Sequence, residues 1–370
     1  MRSVVMHIVF DARPLQSASR NRGIGRFAYE VLAALYRRAP DLQYTFLQVS
    51  GGTPPRLPKG VNGRTLSYPG RVPEQLRGLA DALILRGLLA KAAGDLYYSP
   101  EYGLPSSSPI PAVVTVHDLI PWVLRHPSYL RQRIRWGMQR RLLGRAARLL
   151  CDSKSTRLQL MAKVHVEAAR TLVIYPGVSQ TFFATPPAAD VKTIRSRYGQ
   201  GFALFVGECD WRKRPEHALA AIAPTDRRLL IVGPNQRHAA RLRRLATQAG
   251  VSDRVTVAGM LTDRELVAAY ASASVLLFPS RYEGFGLPLL EAAAMGVPAV
   301  AYNNSSIPEA AGEGTHLVEE GDLRQFVGEA VGIIKRSRPA GDPAKAKARA
   351  REFTWDRTAE QMLNAFTQVT

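Results

Sequence analysis

Two carboxylates, Glu283 and Glu291, flank a glycine-rich elbow in Ser280-Arg-Tyr-Glu-Gly-Phe-Gly-Leu-Pro-Leu-Leu-Glu291, with seven residues between them. The apolar run Ser274-Val-Leu-Leu-Phe-Pro279 before the elbow reads as a buried strand. Behind it, Leu287-Pro-Leu-Leu-Glu-Ala-Ala-Ala-Met295 reads as a helix with Pro288 in its first turn, where a missing N–H costs nothing. The elbow thus joins a strand end to a helix N-terminus, where free N–H groups and the helix dipole favour a phosphate. A carboxylate beside such an anion site needs another partner, and sugar hydroxyls are the natural one. Glu291, one or two turns into the helix, can take a second pair of hydroxyls. A phosphate between two sets of hydroxyls describes a nucleotide-sugar. Two solvated carboxylates on an ordinary strand–turn–helix are the bland alternative.

Other positions carry chemistry too. Val113-Val-Thr-Val-His-Asp118 puts His117 at the C-terminal end of a buried strand, where ligands gather in open α/β sheets. Asp118 is expected to fix the tautomer of that imidazole. Near the N-terminus, Asp11-Ala-Arg-Pro-Leu15 ends the first strand and Arg22-Gly-Ile-Gly-Arg-Phe27 opens a helix. Gly23 and Gly25 let a ligand approach that helix N-terminus closely. Gly23, Gly25 and Ala28 also fit a dinucleotide fingerprint, but roughly ten residues separate them from the strand they should follow at once.

These groups need a scaffold of alternating strands and helices, and the chain provides one. At 370 residues it is long enough for two domains. Apolar strands are expected at 7–11, 44–49, 95–99, 112–117, 149–152 and 171–175, with helices near 24–38, 73–92, 129–147 and 154–164. The pattern restarts at 202–206 and continues with strands at 228–232, 255–258, 274–278, 299–302 and 316–318. Short, continuously apolar strands alternating with helices predict two parallel α/β layers. The expected domains are residues 1–175 and 176–353. A terminal amphipathic helix begins at Thr354-Trp355.

Composition narrows the classes. A hydrophobic fraction of 46% and a charged fraction of 22% suit a soluble globular protein. No apolar run reaches the roughly 20 residues that span a bilayer, and Met6-His-Ile-Val-Phe10 is too short for a signal peptide. Cys151 and Cys209 fit neither a metal spacing nor a disulfide framework, so a reducing cytoplasm is expected. The formal charge is +20, and residues 1–175 hold most of it, with 26 Lys/Arg against 10 Asp/Glu. No acidic residue lies between Leu119 and Cys151, where arginines alternate with Tyr129, Ile134, Trp136 and Met138 as in an amphipathic basic helix. Three readings are open for this half. It is a solvated face, a surface drawn to an anionic membrane leaflet, or a nucleic-acid site. The last lacks an aromatic platform or a binding motif.

The frame Glu-Gly-Phe-Gly-Leu-Pro-x-Leu-Glu resembles the signature of retaining GT-B glycosyltransferases of family 4. The resemblance implies two Rossmann-like domains facing across a cleft, with the C-terminal helix crossing back to the first domain. It implies that Glu283 accepts hydroxyl hydrogens of the donor sugar, that Glu291 binds the ribose diol, and that the backbone of Phe285, Gly286 and Leu287 faces the sugar and diphosphate. By the same resemblance His117 lies near the transferred sugar, and Gly23 and Gly25 lie over the diphosphate. In Phe205-Val-Gly-Glu-Cys-Asp-Trp-Arg-Lys-Arg-Pro215, Arg212 and Lys213 look like the pair that grips the diphosphate behind Gly207. Fixed cations there stabilise the charge that develops on the leaving diphosphate. Many members carry Asn after the Lys, where this chain has Arg214, and Glu208 is a second departure. The segment containing Gly259 and Met260 is similar to the one whose backbone meets the nucleotide base.

Together these features predict a hexosyltransferase using a nucleotide-diphosphate sugar and no cofactor. No divalent metal is expected, because the sequence contains no Asp-x-Asp. The Asp-Ala-Arg-Pro-Leu and Gly-Ile-Gly-Arg-Phe segments resemble mannosyltransferases of polysaccharide assembly, which favours GDP-mannose; UDP-glucose or another UDP-hexose is the alternative. A glycan on a polyprenyl diphosphate is the expected acceptor, reached from the cytoplasm at the inner face of the membrane. Outside this class stand a GT-B binding protein without turnover and a nucleic-acid binder suggested by charge alone.

Overall fold

The computed structural model describes residues 5–17, 23–70, 72–233, 236–336 and 340–370. It divides into two compact units, Met1–Gly177 with Thr354–Thr370, and Val178–Phe353. In the first unit, strands β1 (His7–Asp11), β2 (Gln43–Val49), β3 (Arg64–Tyr68), β4 (Leu96–Ser99), β5 (Ala112–Val116), β6 (Arg148–Cys151) and β7 (Thr171–Val173) form one sheet. Every pairing is parallel, and the order is β3-β2-β1-β4-β5-β6-β7. The second unit repeats the plan with β8 (Phe202–Val206), β9 (Leu229–Val232), β10 (Val255–Gly259), β11 (Ala273–Phe278), β12 (Ala299–Asn303) and β13 (Thr315–Glu319). Its order is β10-β9-β8-β11-β12-β13, again parallel. Both units are therefore Rossmann-like. The order reverses between β1 and β4 and between β8 and β11, and at such switch points loops diverge and leave room for a ligand.

Apolar runs explain the inner strands. All residues of β4, β5 and β9 are buried, as strands covered by helices on both faces must be. The edge strand β3, Arg64-Thr-Leu-Ser-Tyr68, has no such run and is mostly exposed, so its sequence gives no strand signal. Two expected helices are shorter than anticipated. The first runs Arg77–Ala92 after a 3₁₀ turn at Glu74–Leu76, and the second runs Leu130–Leu142 before a 3₁₀ turn at Leu143–Arg145. Such turns tighten helix ends and satisfy groups that lack an α-helical partner.

The terminal helix Trp355–Thr367 returns to the first unit and packs on the helix Gly23–Arg38. Thr354 caps it, accepting a hydrogen bond from Arg357 N. Trp355 meets Phe27 edge-on at 5.6 Å, while Met362 and Phe366 are fully buried. Ion pairs Arg37–Asp356 and Arg38–Glu360 border the contact but are about half exposed. Each such pair contributes at most about 1 kcal/mol, against roughly 1.5–3 kcal/mol for each buried large side chain. Burial holds this helix in place. Gly177 permits the approach, since a Cβ there would lie 2.2 Å from Trp355 N.

The Asp-Ala-Arg-Pro-Leu segment has an internal role. Arg13 Nε and Nη2 donate to the two oxygens of Asp11 at 2.8 and 2.6 Å, and Nη1 donates to Asp81 at 2.6 Å. Tyr97 donates its hydroxyl to Asp11, and the guanidinium lies 4.5 Å from the Tyr68 ring. All three charged residues are nearly inaccessible to solvent.

Candidate active site

The second unit gathers its chemistry on both sides of the β8/β11 switch point. Gly207 follows β8 with a φ of +140°, a conformation open to glycine, and a Cβ there would meet Lys213 Cε at 3.5 Å. Trp211–Lys213 forms a 3₁₀ turn capped by Asp210, whose side chain accepts from Lys213 N at 3.1 Å. Arg281 N donates to Arg212 O, tying this turn to the elbow after β11. The side chains then converge. Lys213 Nζ lies 2.5 Å from Glu283 Oε1, Arg212 Nη1 lies 3.1 Å from Oε2, and Arg212 also donates to Tyr282 O.

Glu283 and Lys213 are both nearly buried. Burial alone would raise the pKa of the carboxyl, but the Lys213 and Arg212 charges prevail and hold Glu283 at about 2. Burial, together with the Arg212 charge, lowers the pKa of Lys213, and Glu283 opposes that shift. Lys213 also lies 5.2 Å from the Phe278 ring at the end of β11. The trio holds an ionised hydroxyl acceptor beside two cations.

A second loop braces the elbow. Ser305, in the left-handed region at a φ of +47°, accepts from Glu283 N at 3.0 Å and donates to Asn304 Oδ1. Ser306 Oγ donates to Glu283 O and Phe285 O at 2.9 and 3.0 Å, and Asn304 Nδ2 donates to Ser280 O. Sequence reasoning missed this brace. Its signal was the polar Asn303-Asn-Ser-Ser306 directly after a buried strand, next to the switch point. Gly286, at a φ of +113°, then turns the chain into the helix Leu287–Met295, while Phe285 is buried against Phe353. Glu291 stands apart from Glu283. It is buried and accepts from Tyr270 Oη at 3.0 Å.

Gly259 belongs to the same rim. Gly207 N donates to Val232 O, and Gly233 N donates to Gly259 O at 2.7 Å. A Cβ on Gly233 would lie 3.0 Å from Gly207 O. Glycines therefore end β8, β9 and β10 in one row, and Met260 beyond them is 54% exposed. Gly233 escaped notice although Gly-Pro after an apolar strand marks such a rim. Arg214 and Glu208, the two departures, point elsewhere. Arg214 pairs with Glu320 at 2.8 Å and lies over Tyr302, whereas Glu208 pairs with His238. Arg214 has a φ of +46°, a left-handed conformation that asparagine adopts at lower cost.

In the first unit the partner expected for His117 is corrected. Asp118 accepts from Ile120 N, and it is Asp152, at the end of β6, that lies 2.6 Å from His117 Nδ1. Nε2 lies 2.8 Å from Pro100 O after β4. A carboxylate and a carbonyl are both acceptors, so the ring must donate from both nitrogens as an imidazolium. Burial opposes that charge, but Asp152 and the Pro100 carbonyl outweigh it and raise the pKa from 6.5 to about 9. Phe27 stands edge-on to the ring at 4.6 Å. Through it the helix opened by Gly23, with its φ of +51°, and by the buried Gly25 meets His117. Arg22 lies outside the described residues.

A raised folded-state pKa adds stability that is complete below pH 6.5 and is lost as pH rises through 9. Between those values the protein should lose roughly 2–3 kcal/mol from this group. Urea midpoints at the two pH values, for wild type and His117→Gln, measure it. An equal loss in the variant would remove His117 as the source.

Two family models match the chain. Glycosyltransferase Family 4 covers residues 21–182, and Glycosyl transferases group 1 covers residues 189–351. The chain belongs to the family 4 glycosyltransferases. This glycosyltransferase is 26% identical to the O-antigen chain mannosyltransferase B of Escherichia coli, over 98% of this chain and 99% of that one. Its fold is shared with sucrose-phosphate synthase from Thermosynechococcus elongatus, at a TM-score of 0.76 and 22% identity, with 98% of each chain covered. The Anabaena protein HepE, solved in complex with UDP-glucose, superposes at a TM-score of 0.72 and 17% identity, over 98% of this chain and 100% of that one. The two Rossmann-like units are those of a GT-B glycosyltransferase.

Proposed function

We propose that this enzyme transfers mannose from GDP-mannose, with retention of configuration, to a glycan growing on a polyprenyl diphosphate. The observation that carries this reading is Glu283, held ionised by Arg212 and Lys213 where β8 and β11 part. The carboxylate accepts hydroxyl hydrogens of the donor sugar. The two cations take the diphosphate, whose β-phosphate oxygen on the anomeric carbon receives the electron pair as the glycosidic bond breaks. A donor phosphate oxygen accepts the proton of the acceptor hydroxyl as the new bond forms, so neither Glu acts as general base. Glu291 takes the ribose diol beside Tyr270 Oη, and the row Gly207, Gly233 and Gly259 leaves room for phosphate and base. No step calls for a divalent metal. Such work belongs in the cytoplasm, at the inner face of the membrane.

Likeness to a mannosyltransferase along its full length supports mannose. The UDP-glucose bound by HepE supports a UDP-hexose as the second reading. Thermal shift with GDP-mannose, UDP-glucose and the free diphosphates separates them, because a ligand at 100 times its Kd stabilises the native state by about 2.7 kcal/mol. Lys213→Ala should weaken both the donor and its free nucleoside diphosphate, each by a charge-assisted contact of roughly 1.5–3 kcal/mol. If diphosphate affinity is unchanged, the phosphate site lies elsewhere. If no nucleotide-sugar stabilises the protein, the donor reading fails.

A further inference from the structure

Of the consecutive cations Arg212, Lys213 and Arg214, the third has no part in the proposed reaction. Its guanidinium is largely shielded from solvent, pairs with Glu320 at 2.8 Å and lies 5.3 Å from the centre of the Tyr302 ring. Arg214 holds this pose at a φ of +46°. Ser305, which accepts from Glu283 N, holds a φ of +47°. Residues other than glycine stay in such conformations only where surrounding contacts enforce them, and these sites cluster where function needs a fixed geometry. Both residues belong to one hydrogen-bonded chain.

Glu320 carries the Arg214 charge into that chain. Its other oxygen accepts from Asn304 Nδ2, which also donates to Ser280 O at 3.0 Å. A side-chain amide nitrogen has two hydrogens, and both are thereby committed. Asn304 Oδ1 is left to accept from Ser305 Oγ at 2.9 Å. With its hydrogen placed there, Oγ accepts from Glu283 N at 3.0 Å. Turning the amide over would set Oδ1 against the Glu320 carboxylate. The Arg214–Glu320 pair therefore fixes the direction of every bond as far as Glu283. The loops that supply these residues follow β8, β11, β12 and β13, which are successive neighbours in the sheet.

We infer that Arg214 and Glu320 are positioning residues for sugar recognition: through Asn304 and Ser305 they hold the Glu283 backbone so that its carboxylate meets the donor sugar. Arg212 and Lys213 grip that carboxylate directly, but a bound diphosphate draws on the same two cations. A brace on the backbone side does not compete for them, so Glu283 keeps its place when the phosphates arrive. Misplacing a recognition group by even 1 Å is enough to cost much of its effect. The inference rests on the proposed role of Glu283, and its first measurement involves no ligand.

Hydrogen exchange of the elbow, residues 280–285, is compared in full-length wild type, Glu320→Ala and Arg214→Asn without nucleotide. Exchange should quicken about tenfold in Glu320→Ala, the effect of one weakened hydrogen bond. Arg214→Asn should show the same at smaller size, with a melting temperature near that of wild type, because asparagine adopts the left-handed conformation at lower cost. The affinities of GDP-mannose and UDP-glucose are then measured beside those of GDP and UDP. In Glu320→Ala the preference for the bound donor over its free diphosphate should fall about tenfold, with diphosphate affinity unchanged. Lys213→Ala, which should weaken both, is the control. Ser305→Ala should match Glu320→Ala, and the double variant should lose no more than either, because both act through one contact. Unchanged elbow exchange, an unchanged preference in Glu320→Ala, or additive losses in the double variant would each overturn the inference and leave the donor reading standing. A wild type that binds neither nucleotide-sugar overturns the donor reading, and this inference with it.

Discussion

Glu283→Gln is expected to lower kcat/KM by about 10²–10⁴-fold, because in the proposed role its charge accepts two donor hydroxyls, each contact worth roughly 1.5–3 kcal/mol. Glutamine keeps the shape and an acceptor oxygen for Lys213 but not the charge that both cations pair with, so the melting temperature should fall, though less than in the alanine variant. Glu283→Ala tests something else. It leaves Lys213, nearly buried and 2.5 Å from the missing oxygen, without its partner, and breaking a buried pair from one side costs about 3–5 kcal/mol. An alanine variant would therefore mix lost catalysis with lost fold. Initial rates with the cognate donor, read beside the melting temperature, separate the two. A glutamine variant with near wild-type kcat/KM would remove Glu283 from the site.

The same pair shows what the sequence could and could not reveal. The elbow was legible because an apolar strand, a glycine needing positive φ and a proline in the first helical turn are local signals. Residue types at strand ends were legible for the same reason, and His117, Arg212, Lys213 and Glu283 all lie where parallel strands finish. Their pairings were not. Lys213 and Glu283 are 70 residues apart, and they meet only because β8 and β11 are neighbours in the sheet. His117 and Asp152 are 35 residues apart and meet because β6 follows β5. Asp118 was the nearer carboxylate in the chain, yet a residue directly after His117 is drawn into the next turn, where it accepts from Ile120 N. Ser305, Ser306 and Tyr270 left no apolar pattern, because their work is done by single hydroxyl groups. The edge strand β3 was missed for a related reason: with one neighbour and an exposed face, it needs no apolar run.

Arg13→Met should be among the most destabilising single changes in the first unit. The guanidinium is shared by Asp11 and Asp81, both about 1–2% exposed. Removing it leaves two buried carboxylates without a cation, so the cost should reach or exceed the roughly 3–5 kcal/mol of a broken buried pair. That is a large part of the 5–15 kcal/mol that holds a typical domain. If the cause is uncompensated charge rather than lost packing, neutralising the carboxylates as well should restore much of the loss. Asp11→Asn and Asp81→Asn added to Arg13→Met should then be more stable than Arg13→Met alone, a non-additivity expected of residues in one network. Urea midpoints of the wild type, the single variant and the triple variant measure it. A single variant within 1 kcal/mol of wild type, or a triple variant no better than the single, would dissolve the network. The outcome also bears on function. A segment that closes on itself at the end of β1 holds the first unit together, and its resemblance to mannosyltransferases then reports a shared scaffold, leaving the choice of donor to residues that touch it.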